Sequence, residues 1–334
     1  MQGLKLFFSS SDEGACAHYR TLLPSIYLGK QGWRTTASAG FSVDDPRIVG
    51  ADVVILQRHQ HPYFLEWIPK AKAAGQTVLY DIDDSFWHIP KWNPAHAAFN
   101  KENLQIVEKI IAACDGVICS TTPLASYIGK RFNAKVSVVA NYVEPPIEKP
   151  IPYTDRLKIG YCGSVTHKGD LPQITKALLH AQKKYKAHII FMGIVPDGFP
   201  ITENTTIVPP VPANRYIHQL QLIDFDIALA PLQQNFFNVC KSNLKYLEYS
   251  VCGAATVASD VFPYLETITE SGAGLLASKT QDWVSHIDKL CQNPDFLQLT
   301  KVSAKQFVYS NYLWEIQAPK VSNQYEGFLA TLRK

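Results

Sequence analysis

Residues 227–278 read IALAPLQQNFFNVCKSNLKYLEYSVCGAATVASDVFPYLETITESGAGLLAS. A short apolar run, Ile227–Ala230, is followed by a polar turn. Next comes a stretch with Leu244, Leu247 and Val251 on one helical face, and then a second apolar run, Ala255–Ala258. Another helical pattern over 262–269 leads to a third run, Gly274–Ala277. Strands of continuous apolar character separated by amphipathic helices predict a parallel sheet covered on both faces.

The same alternation extends in both directions. Upstream of it lie Leu157–Cys162, His188–Met192 and Thr206–Val208, with helical segments at 170–185 and 213–223; a further one follows at 280–292. An earlier unit shows apolar runs at Leu4–Phe8, Val53–Leu56, Val78–Ile82, Val117–Cys119 and Val136–Val139, with helical stretches near 18–29, 62–74, 99–113 and 122–131. Between the units, EPPIEKPIPYTD at 144–155 breaks both periodicities and reads as a linker. From 296 to 334 the pattern is helical, with a break predicted near Pro319. The expectation is an α/β chain of two Rossmann-like domains facing a cleft. Residues 1–150 form the first and 151–312 the second, and a C-terminal helix over about 313–334 crosses back to the first.

Composition bounds the function. A chain of 334 residues with a net charge of +3 is not a general nucleic-acid or membrane binder by electrostatics. No apolar run reaches the roughly 18 residues of a membrane span. Seven scattered cysteines read as reduced thiols of a cytoplasmic protein rather than as a disulfide frame or zinc site. The sequon at Asn204 reads as chance. There is no GxSxG elbow and no HExxH motif.

In open parallel sheets ligands bind beyond the carboxyl ends of the strands, so four post-strand segments are candidates. In GYCGSVTHKGD (160–170), Gly163 and Ser164 begin a turn in which Lys168, and His167 when protonated, add positive charge near a helix start. That is how a loop holds a phosphate; the alternative is an ordinary turn capped by Asp170. In the second segment Ser242 is a candidate N-cap, and Lys241, Lys245 and Glu248 share one helical face. They form an anion site with a hydroxyl-binding carboxylate, or a solvated ion-paired face. In YDIDDSFW (80–87), Asp81 reads as structural, while Asp83 or Asp84 faces the cleft to bind acceptor hydroxyls, act as a base or hold a metal. No second acidic cluster completes a metal site. Finally, His18 and Arg20, after the first strand, are acceptor-side candidates together with Asp81, with a surface cation and a structural histidine as the alternatives for the first two; His59 and His61 have the same status.

On these residues the second unit resembles the donor-binding half of GT-B glycosyltransferases. The likeness is greatest to retaining, family-four-like enzymes of polysaccharide and O-antigen clusters. Its carriers are the KSxLKxLEY helix (Lys241 to Tyr249), the step from Gly253 to Asp260, the GLL strand (Gly272 to Leu276), the loop GYCGSVTHKGDL, YDIDDSFWHIPKWNP and Val138 to Asn141. The chain departs from the pattern where Cys240 stands at the first of two family glutamates, Glu248 matching the second. Ser164 stands where an arginine is common.

The resemblance implies a UDP- or GDP-sugar donor in the cleft and no required cofactor or metal. Lys168, Lys241 and Lys245 would stabilise the leaving diphosphate, and Glu248 would hold ribose or sugar hydroxyls. The acceptor would approach near Arg20, Asp83 and Asp84. That acceptor is a hydroxyl on a glycan, a lipid-linked glycan, a protein, a small molecule or a modified DNA base; nucleic acid enters only in that role. A lipid-linked acceptor would place the protein at the inner face of a membrane. An epimerase of the same fold, a non-catalytic sugar-nucleotide-binding subunit, and a metal-dependent GT-A reading of Asp81 to Asp83 are the alternatives. Pro209 to Pro212 and Tyr216 are candidates for base selection.

Overall fold

The computed structural model describes residues 3–42, 44–147 and 156–332. Most of the expected linker, 148–155, and the last two residues of the expected C-terminal helix lie outside them.

Two parallel six-stranded sheets organise the chain. The first contains β1 (Lys5–Ser10), β2 (Arg34–Ala39), β3 (Val53–Gln57), β4 (Thr77–Ile82), β5 (Gly116–Cys119) and β6 (Val136–Val138), in the order β2-β1-β3-β4-β5-β6. The second contains β7 (Lys158–Gly163), β8 (His188–Gly193), β9 (Thr205–Val208), β10 (Ile227–Ala230), β11 (Ala255–Ser259) and β12 (Leu275–Ala277), in the order β12-β11-β10-β7-β8-β9. The central strands β3, β5, β10 and β11 are buried along their whole length, because helices cover both faces. Each sheet is a doubly wound α/β unit, as the alternation of apolar runs and helices predicts.

Two features differ from the sequence expectation. Strand β2, RTTASA, is polar and half-exposed at the sheet edge; it carries no apolar run to announce it and is fixed by pairing with β1. The C-terminal helix is continuous through Pro319, from Trp314 to Leu332. The break falls before it, after the helix Pro294–Asn311, where Leu313 makes a parallel bridge to Val143. Five residues into the helix, Pro319 forfeits one N–H bond, and packing against the first unit outweighs that loss.

That packing is specific. Trp314 stacks on Tyr27 with ring centroids 5.4 Å apart, and Trp33 Nε1 donates to Ser322 Oγ at 2.8 Å. Gly116 leaves room for this packing: a Cβ there would come within 2.7 Å of the tip of the Phe328 ring. The helix therefore crosses back to the first sheet. No helix of the described residues is long and apolar enough to cross a membrane.

Candidate functional site

The carboxyl ends of both sheets face each other across a cavity of about 580 Å³. On the second-sheet side, β7 ends at Gly163, and the turn that follows presents Ser164, Thr166 and His167 to the cavity. Gly193 makes room for this turn: at φ +93°, its missing Cβ would lie 2.2 Å from the Gly163 carbonyl oxygen. Asp170 is fully buried and does not cap the next helix. It accepts hydrogen bonds from Gln233 N (2.8 Å) and Asn238 Nδ2 (3.2 Å), tying the turn after β7 to the one after β10.

His167 Nδ1 lies 3.0 Å from Asp170 Oδ2. Burial nevertheless lowers the imidazole to about 4, so His167 is neutral near pH 7 and supplies no cation. Lys168 does not line the cavity; it turns outward, half-exposed, to Asp197 at 3.1 Å. Both placements correct the expectation of added charge on this loop.

The cations come from the segment after β10. Its helix spans Leu244–Val251, with Asn243 rather than Ser242 at the N-cap. Ser242 Oγ instead accepts from Asn141 Nδ2 of the first unit at 3.0 Å. Lys241 precedes the helix, yet it lines the cavity with Ser242, Lys245 and Glu248. Lys245 Nζ donates to the Cys162 carbonyl oxygen at 2.7 Å, and burial lowers its ammonium below the usual lysine range. Cys240, at the position of the absent glutamate, is fully buried and outside the cavity lining.

The first unit supplies Asp83 and Asp84, and a residue the sequence reading passed over. Arg58 directly follows β3 in a left-handed conformation (φ 57°). Its guanidinium donates to Asp83 Oδ1 through Nε and to Asp84 Oδ2 through Nη2. Lys241 Nζ reaches Asp84 Oδ1 at 3.2 Å, so an ionic chain spans the cleft. Burial alone would raise Asp84; Lys241 and Arg58 overcome it and hold the carboxyl at about 2. Arg58 stands just past a strand end, as the other candidates do, and only its contacts set it apart. His59 is structural, buried with Nε2 2.8 Å from Ser9 Oγ. Among the described residues no group of three or more His, Cys, Asp or Glu is placed to share a metal ion.

Arg20, His18 and Asp81 do not line the cavity. Arg20 and Asp81 form a buried bidentate pair beneath it, at 3.0 and 2.8 Å. A π-helical turn over His18–Leu22 sets this arrangement, sending Arg20 inward while its neighbour Tyr19 lines the cavity. His18 is half-buried, its Nδ1 without a hydrogen-bond partner.

Tyr19 Oη donates to Glu248 Oε1 at 2.7 Å, and Tyr216 bonds the same carboxyl. Burial pushes Glu248 up to about 7 despite Lys245 and the two phenols. Relative to an ordinary value of 4.5, the native state therefore retains a proton between pH 4.5 and 7 that the unfolded chain has released. This residue makes unfolding free energy fall as pH rises through that window and level off above it, by up to about 3 kcal/mol. Glu248→Gln should remove the decline, so the variant gains on the parent between pH 5 and pH 8 in urea titrations. A parent–variant difference independent of pH would contradict this assignment.

No protein-family model and no curated protein sequence matches the chain. Solved structures match by fold. TarM of S. aureus superposes with a TM-score of 0.61 at 14% identity, over 82% of this chain and 54% of TarM, so the chain spans about half of that protein. Anabaena HepE in complex with UDP gives 0.68 at 10% identity, over 97% of this chain and 100% of HepE. A glycosyltransferase from Rickettsia africae gives 0.67 at 12% identity, over 98% and 99%. Together with the two facing parallel sheets, these matches identify the architecture as the GT-B glycosyltransferase fold.

Proposed function

We propose that this chain transfers a sugar from a nucleotide-diphosphate sugar to a hydroxyl acceptor. The observation that carries the reading is the placement of Lys241, Lys245 and Glu248 at the carboxyl end of the second sheet. There they face Asp83 and Asp84 of the first across a single cavity. In this reading residues 151–312 bind the donor. Residues 1–150 with the C-terminal helix bind the acceptor.

The diphosphate lies against the Gly163–Ser164 turn and the two lysines. Ser242 and the neutral His167 offer hydrogen bonds there. The base lies toward Pro210, Pro212 and Tyr216, and Glu248 accepts from ribose hydroxyls, replacing the bond from Tyr19. The acceptor oxygen attacks the anomeric carbon as the bond to the diphosphate oxygen breaks. The acceptor proton passes to the departing phosphate oxygen, since Asp84 is held ionised by Lys241 and Arg58. Negative charge grows on the diphosphate in the transition state, where fixed cations are most effective. Two lysines supply that charge without a metal, and the carboxylates otherwise available to a metal are already engaged by Arg58 and Lys241. Retention at the anomeric carbon and a hexosyl group are carried over from the family-four-like motifs.

Thermal denaturation with UDP, GDP, ADP and CMP and their sugars, each with EDTA, tests the reading. A nucleoside diphosphate at about 100 times its Kd should stabilise by about 2.7 kcal/mol, a rise of a few degrees, with EDTA present. No shift with any nucleotide would favour a degenerate, non-catalytic chain. A shift only with added divalent metal would return Asp83 and Asp84 to the role of metal ligands.

A further inference from the structure

The cavity continues past Lys241 into the first unit, and that wall has a composition of its own. Its charged side chains are three carboxylates, Glu13, Asp83 and Asp84, against one guanidinium, Arg58; burial keeps Cys16 and Tyr19, which also line it, neutral. Arg58 is already committed to both aspartates, and its guanidinium also rests over the Phe86 ring, 5.4 Å from the centroid. Phe86 is itself buried and stacks on Phe99 with centroids 4.1 Å apart, so the half-buried Phe99 is the ring this wall offers to the cavity. The wall thus combines an apolar aromatic surface with acceptor-only oxygens and no uncommitted cation.

Resting on the donor assignment above, we propose that this wall is selective for an uncharged sugar ring as acceptor and excludes acceptors carrying phosphate at the site of transfer. A sugar presents an apolar C–H face to Phe99, and hydroxyl donors to Asp83, Asp84 and Glu13. A phosphate brings negative charge into a partly desolvated wall with an excess of carboxylates, where like charges repel and no cation is free to receive it. With a donor bound, Lys241 turns to the diphosphate, which leaves Asp84 less compensated and strengthens the exclusion. The phosphodiester backbone of a nucleic acid falls on the excluded side.

The test uses the whole chain saturated with UDP. Phenyl β-glucopyranoside and its 6-phosphate are each titrated in, and binding is read by saturation-transfer NMR and calorimetry. The glycoside should bind in the millimolar range or better and its phosphate at least about tenfold more weakly, a ratio that narrows as salt screens the repulsion. Glu13→Gln should narrow it as well. Equal or tighter binding of the phosphate overturns the proposal, as does failure of the glycoside to bind at tens of millimolar. Failure of UDP itself to bind is a separate result and removes the donor assignment instead.

Discussion

Replacing Lys241 and Lys245 together by alanine should lower kcat/KM for sugar transfer by at least about 10³, since removing one charge-stabilising donor typically costs about 10² to 10³. The loss should exceed that of either single variant. The melting temperature should move by only a few degrees. Lys241 gives up a partly exposed ion pair, and Asp84 remains held by Arg58. Lys245 gives up its bond to the Cys162 carbonyl, but that oxygen keeps the Tyr249 hydroxyl at 3.3 Å. Burial already disfavours the Lys245 ammonium, so its removal relieves part of what it costs to lose the bond. Glu248, left without its lysine, can take up a proton. The comparison of initial rates with thermal melts separates a role in transfer from one in folding. Transfer within a fewfold of the parent would remove the diphosphate assignment. Equal losses of activity and stability would make the lysines structural.

The second large effect is on stability. Arg20→Ala should destabilise the fold by about 3–5 kcal/mol, as breaking one side of a buried ion pair does. Arg20 is 2% exposed and Asp81 is fully buried. Besides the bidentate pair, Arg20 Nη1 donates to the Val139 carbonyl at 2.6 Å and to Asn141 Oδ1 at 3.0 Å. Removing the guanidinium leaves a buried carboxylate and two further acceptors without donors. Arg20→Lys should lose most of this energy too, because an ammonium cannot reproduce the two-pronged geometry. Asn141 also reaches Ser242 across the cleft, so activity at temperatures below the melt should fall modestly as that contact loosens. Chemical denaturation of Arg20→Ala, Arg20→Lys and Asp81→Asn checks the assignment. Losses below about 1 kcal/mol would show a pair no stronger than a surface one.

How much was legible in the sequence depends on what each residue's position requires. The second sheet was readable nearly strand by strand, because Ile227–Ala230 and Ala255–Ser259 are buried on both faces and so are mostly apolar, Thr256 and Ser259 being the polar exceptions. Strand β2 was invisible, because an edge strand with half its surface in water needs no such run. Lys241, Lys245 and Glu248 could be grouped from spacing alone, and they do line one cavity, although the helix begins only at Leu244. Ser242 and Asp170 resembled caps and are instead cross-braces, one to Asn141 and the other to the turn after β10. A short polar side chain serves either purpose, and the sequence does not record which partner arrives.

By itself, then, the sequence determined the alternation of strands and helices, the two units, and the strand ends at which polar residues collect. These follow from burial periodicity and chain geometry, which are local. The charge state and orientation of the polar residues were decided only in the tertiary structure. There a π turn sends Arg20 down to Asp81 and Tyr19 across to Glu248, and Lys168 turns out to Asp197. Arg58, unremarkable in sequence, binds both aspartates. Ion pairing and desolvation depend on distances between residues far apart in the chain, and those distances exist only once both sheets have closed on one cavity.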